Sequence, residues 1–200
     1  MERGMKIEVR ADGAHISGYV NATEKKSRPV ITAKGQRVIE VIEPRAFERA
    51  LERANNVPMT KDHKPDIVLA ETRSGNLRLH EDAIGLFAEA LVTDPETVEE
   101  ARAGKIKGWS FGMRNIVDEI EERSDGLPLR HVKALDLDHV TLVVNATPAY
   151  AATSVEVRAE DDVNEMEMRA MLDTPELVDH TPKYDNTPYK ERLERIKNRQ

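Results

Sequence analysis

The chain has 200 residues, of which 39% are hydrophobic and 34% charged, enough for one domain with a buried core and a tail that need not fold. Its formal net charge of -7 disfavours a direct nucleic-acid role, because phosphate contacts need Lys and Arg clustered on one face. The absence of cysteine excludes disulfides, thiolate metal sites and a Cys nucleophile, so any nucleophile is an oxygen or an amine. An aromatic share of 4% leaves the core mainly to aliphatic side chains and Met. The first ten residues lack the apolar run of a signal peptide, and no stretch approaches the roughly 20 apolar residues of a membrane span. A cytosolic protein is the expectation.

In chain order, Lys6 to Arg10 and His15 to Val20 alternate polar and apolar around Asp12-Gly13, which predicts two strands and a turn. Arg37 to Ile42 predicts another strand. Pro44 then opens a helix through Ala46, Phe47, Ala50 and Leu51. The stretch Ile67 to Thr93 is cut by Ser74-Gly75-Asn76 and Glu81-Asp82, predicting three short antiparallel strands. Asp94 offers an N-cap, Pro95 a first helical position and Glu96, Glu99 and Glu100 the early acidic turns of a helix ending near Gly104. Gly108 to Val117, Leu129 to Leu137 and His139 to Val144 predict further strands, with Ser124-Asp125-Gly126 as a turn. Composition changes near Arg158, so residues 1–158 read as the domain and 159–200 as a charged C-terminal tail, disordered or folding only with a partner.

Three segments carry possible chemistry. In Gly108-Trp109-Ser110-Phe111-Gly112 a serine sits between two large apolar residues with a glycine outside each. The pattern suits close approach of another backbone, although a Ser filling a small strand site gives the same string. His63 lies in the polar loop Met59 to Asp66; it is either a solvent-exposed loop His or the base that a hydroxyl nucleophile needs. His139 follows Leu135 and Leu137 on one strand face, as a hydrogen-bonded core His or as a third group orienting the base. His15, His80 and His131 have no comparable setting. His80-Glu81-Asp82 is poor metal spacing, because neighbours on a strand point to opposite faces.

Taken together, these segments resemble the prohead proteases of tailed bacteriophages, whose fold is similar to the assemblin proteases of herpesviruses. The resemblance runs over roughly residues 5–158. It is carried by Gly18-Tyr19-Val20, Ile42-Glu43-Pro44-Arg45-Ala46-Phe47, the His63 loop, Gly75 to Leu79 with Glu81-Asp82 and Gly85-Leu86, the Ser110 segment, Asp136 to Val143, and Pro148-Ala149. It implies a serine endopeptidase in which Ser110 attacks, His63 is the general base and His139 the third member. It also implies an α+β fold, mainly β, with a closed or nearly closed barrel wrapped by a few helices. No cofactor and no metal are expected. The implied partners are the major capsid protein and scaffold inside a phage procapsid in the bacterial host cytoplasm, with a homodimer as a further possibility and neither nucleic acid nor membrane.

Two departures qualify the match. Many phage relatives have Glu where this chain has His139, whereas assemblins have a second His. The loop carries Asp62 and Lys64 where relatives often have Asn and Asp. Asp138 is the weaker rival to His139, since regular strand alternation turns it the other way. The similarity to assemblins implies an oxyanion hole just after the His139 strand, around Asn145 to Thr147, and Pro148 has no NH to offer. Self-cleavage is expected between Ala159 and Asp185, since a tethered tail is held at high effective concentration. The competing readings are a catalytically silent capsid assembly or scaffolding protein and a metal-dependent hydrolase using His63, Asp62 and His139.

Overall fold

The computed structural model describes residues 4–124, 126–145, 166–172 and 175–181, with the single positions 187, 192 and 196. Two sheets and two helices arise from these segments. The alternation at the start of the chain forms the hairpin β1 (Lys6–Arg10) and β2 (Gly13–Ala22), with Ile7, Val9, Ala14, Ile16 and Val20 turned to the core. β7 (Leu77–Glu81) and β8 (Gly85–Val92) join it through β8, and β12 (Glu176–Asp179) adds to β1 in parallel, giving the order β12-β1-β2-β8-β7.

The second sheet is built on the long antiparallel pair β9 (Gly108–Glu121) and β10 (Leu129–Val143). β4 (Arg37–Ile42) runs parallel to the start of β10, and β5 (Pro58–Lys61) runs parallel to its end. β3 (Val30–Ile31) pairs with β4, β6 (Lys64–Glu71) with β5, and β11 (Glu167–Leu172) with β9. The expected boundary between two strands at Asp138 is one continuous strand, interrupted by register shifts that include one between Leu137 and His139. The stretch read as the charged tail supplies β11 and β12. Residues 146–165 and the turn residue Asp125 lie outside the described residues.

α1 (Ala46–Arg53) connects β4 to β5 and lies on β10. Phe47 is fully buried and meets Phe111 edge-on at 5.3 Å. Arg49 and Arg53 reach the Lys133 and Leu135 carbonyls of β10 at 2.6 and 2.8 Å, backbone groups next to the ladder's irregularities. The helix begins at Ala46 rather than at Pro44. Its N-terminus has no local side-chain cap; the Glu81 carboxylate instead accepts from the Arg45 and Glu48 amides at 2.8 and 2.7 Å, satisfying donors that the helix cannot pair internally. α2 (Pro95–Arg102) follows the local signals, with Asp94 accepting from Thr97 N at 2.8 Å and Pro95 in the first turn.

The sheets share one core, with Trp109, Phe47 and Phe111 as its largest members among aliphatic side chains. The mixed, mainly β architecture agrees with expectation, but among the described residues the sheets are not closed into a barrel. Closure requires the outer strands to find partners. Here the flank of β7 meets α1 through Glu81 instead, so the first sheet ends there. Removing the α2 cap by Asp94→Ala is expected to lower stability by about 1 kcal/mol, read as a reduced urea midpoint with unchanged slope.

Candidate active site

The loop bearing His63 is a two-residue turn. β5 and β6 pair antiparallel with Lys61 opposite Lys64, and the central residues Asp62 and His63 have φ of 51° and 57°. Positive φ at both positions is the type I′ pattern that matches the twist of a hairpin. It is unfavourable for non-glycine residues, by roughly 1–3 kcal/mol each, so other contacts must hold it. The Asp62 carboxylate accepts from the Val144 and Asn145 amides at 2.7 and 3.0 Å, Asp62 N donates to Leu142 O at 2.9 Å, and His63 N donates to Thr141 Oγ1 at 3.1 Å. Below the turn, buried Lys61 pairs with Glu100 of α2 at 2.6 Å. Burial alone would raise the Asp62 carboxyl, but the amides of Val144 and Asn145 hold it below the usual range.

These bonds put the imidazole over β9. His63 Nε2 is 2.7 Å from Ser110 Oγ, and His63 Nδ1 is 2.7 Å from His139 Nε2, with the rings nearly perpendicular at 77°. His139 Nδ1 is 2.8 Å from Asp138 Oδ2, and the other Asp138 oxygen pairs with Arg114. A carboxylate only accepts, so His139 carries its proton on Nδ1 and, when neutral, offers Nε2 as acceptor to His63 Nδ1–H. That leaves His63 Nε2 as an acceptor facing Ser110. The row Asp138, His139, His63, Ser110 thus has one consistent direction for accepting a hydroxyl proton.

Asp138 reaches its neighbour because of a β-bulge. Leu137 is opposite Met113 and His139 opposite Gly112, so Asp138 is the extra residue of β10 and escapes the alternation that would turn it away. It is therefore no rival to His139 for contact with His63: it lies behind His139 in the row. Gly112 is the complementary feature on β9. A Cβ there would lie 2.5 Å from His139 Cε1 and 2.8 Å from Nδ1, so the ring occupies the space that a side chain would take. The glycine was visible in the sequence, but its opposing partner was not.

His63 is largely buried, and burial first, then the neighbouring His139, pushes its pKa down to about 4. It is neutral at ordinary pH. Ser110 is 1% exposed, because β11 runs antiparallel along the outer edge of β9 with Ala170 opposite Ser110. Ser110 Oγ also lies 2.7 Å from the Arg169 carbonyl oxygen. A hydroxyl has one proton, so with β11 in place His63 Nε2 and this carbonyl compete for it.

Other expectations fare differently. The Asn145 amide, expected in an oxyanion hole, is held by Asp62, and Ala146 to Pro148 lie outside the described residues. His63, Asp62 and His139 do not form a chelating set: the facing imidazole nitrogens are 2.7 Å apart in a hydrogen bond, and Asp62 is turned to backbone amides. His15, His80 and His131 sit elsewhere, against Asp12, Phe87 and Glu121.

A hydroxyl in contact with a neutral imidazole, itself oriented by a second hydrogen-bonded group, is an arrangement that activates an oxygen nucleophile. Comparison with curated proteins and with solved structures returns no match. A family model described as Caudovirus prohead serine protease matches residues 4–169, which takes in β1 to β10, both helices, the His63 turn, Ser110 and His139. This chain belongs to the Caudovirus prohead serine protease family.

Proposed function

We propose that this chain is the endopeptidase that cleaves the scaffold, the major capsid protein or both inside the procapsid during head maturation, and that Ser110, His63 and His139 carry the chemistry. The observation behind this reading is the hydrogen-bonded row from Ser110 through His63 and His139 to Asp138. Ser110 Oγ adds to the substrate carbonyl carbon as its proton passes to His63 Nε2. His63 then gives that proton to the leaving amine as the C–N bond breaks. Water hydrolyses the acyl ester by the same route in reverse, returning the proton to Ser110. His139 accepts from His63 Nδ1–H and steadies the imidazolium, while Asp138, paired with Arg114, holds His139 in the tautomer this requires.

A serine-directed fluorophosphonate separates this reading from a silent assembly protein of the same fold: labelling of Ser110, lost in Ser110→Ala, is expected. In cleavage assays on the cognate capsid and scaffold proteins, Ser110→Ala and His63→Ala are expected to lower kcat by about 10^4-fold or more, with the thermal midpoint of Ser110→Ala unchanged. His139→Ala is expected to be one to two orders of magnitude less severe, roughly as for other orienting residues. His139→Glu is expected to retain more activity than His139→Ala, and equal loss in both would assign the support of His63 elsewhere.

The base must be neutral to accept a proton. Because His63 is shifted down to about 4, kcat/KM is expected to hold as pH falls through 6 and to decline only near pH 4. An acid limb near 6.5 would show an unshifted base. Self-cleavage between Ala159 and Asp185 is expected from the tethering of that stretch. Intact mass should then reveal a truncated species in wild type that is absent from Ser110→Ala incubated in parallel; equal truncation in both would assign the cut to another protease.

A further inference from the structure

β11 lies where a substrate must lie. Among the described residues it is the outermost strand of its sheet, bonded to β9 alone, and its Arg169 carbonyl oxygen is 2.7 Å from Ser110 Oγ. A peptide whose carbonyl is to meet Ser110 on this edge has the same path to follow, as an added antiparallel strand.

The side chains of β11 are held by a charged receptor. The Glu40 carboxylate accepts two bonds from the Arg169 guanidinium, from Nε at 2.8 Å and from Nη2 at 2.9 Å. Arg130 Nη1 donates to Glu167 at 2.6 Å, and Ala33 N donates to the other Glu167 oxygen at 3.1 Å. All four charged residues are 3–5% exposed. Glu40 and Arg130 also pair with each other at 3.0 Å, and Arg130 with Asp118. A departing strand therefore leaves no isolated buried charge behind, the condition that makes a buried ionic site costly. Glu40 arises from the strand run Val38-Glu40-Ile42, where its two neighbours on the same face are apolar; a carboxylate there has no use in packing.

We propose that Glu40 and Arg130 are the specificity-determining pair of this protease, selecting extended peptides with an acidic residue two positions before a basic one. The bond hydrolysed is the one on the carboxyl side of the basic residue. β11, with Glu167-Met168-Arg169-Ala170, is the chain's own copy of that pattern. Arg130 reads the acid and Glu40 the base, and the carbonyl of the basic residue meets Ser110. The proposal rests on the serine protease reading above.

The test uses the full chain and internally quenched peptides spanning residues 163–175. The parent peptide is expected to be cut between Arg169 and Ala170 by mass spectrometry. Peptides with Glu167→Gln or Arg169→Gln are expected to lose about thirtyfold or more in kcat/KM each, the lower range for removing one partner of a buried charge pair. A peptide with the two charges exchanged is expected to be uncut by wild type and to regain cleavage with the enzyme variant Glu40→Arg/Arg130→Glu. That variant alters buried residues, so the peptide series with wild-type enzyme decides if it does not fold. Equal cleavage of all peptides, cleavage elsewhere, or no cleavage by a chain whose Ser110 takes the fluorophosphonate overturns the inference and leaves the protease reading standing. Failure of both labelling and cleavage overturns the protease reading itself.

Discussion

The antiparallel ladder between β9 and β10 sets Ser110 opposite Thr141 and Gly112 opposite His139, and every group of the candidate site hangs from those two pairings. Thr141 accepts from the His63 amide and bonds Thr60 of β5 at 2.9 Å, so the same rung that faces Ser110 also positions the turn above it. Two rungs away, the missing side chain of Gly112 admits the His139 ring, and the bulge at Asp138 brings its carboxylate behind that ring. A slip of one residue in this register would turn Ser110 toward the core and His139 away from His63. The ladder's length, with apolar Trp109, Phe111 and Met113 buried along β9, is what opposes such a slip.

The His63 turn shows how a locally unfavourable conformation is held. Two non-glycine residues at positive φ are compensated by hydrogen bonds that Asp62 and His63 make to the end of β10. The cost extends to chemistry. Burial that keeps the imidazole dry also lowers its basicity, and the neighbouring His139 ring lowers it further. Position and basicity are in tension here, because the burial and the His139 contact that fix the ring are also what lower its pKa.

Much of the fold was legible in local sequence. The alternation of β1, β2, β4 and β8 and the Asp94-Pro95 helix start depend on neighbours in the chain, and these elements fall where the patterns put them. What was not legible depends on distant partners. β5 hid in a polar loop because its strand character comes from pairing with β10 and β6, and α1 starts late because its cap is Glu81, far along the chain. Ser110, His63 and His139 drew attention as residue types, and the geometry brings them together. Regular alternation turns Asp138 away from His139, and the bulge that overrides it is a property of two strands that leaves no mark on one. Glu167 and Arg169 fall in the stretch whose composition reads as a charged tail. Only their partners Glu40 and Arg130 give them a buried place.

Trp109 is the chain's only tryptophan. It adjoins Ser110, is 1% exposed, and stands opposite Met171 in the β11 register. Any event that strips β11 from the β9 edge changes the surroundings of that one indole, while other parts of the fold are spectroscopically silent at its emission wavelength. The fold thereby carries its own optical gauge of whether the edge beside Ser110 is covered or bare, and exchange of one strand for another can be timed on the unmodified protein.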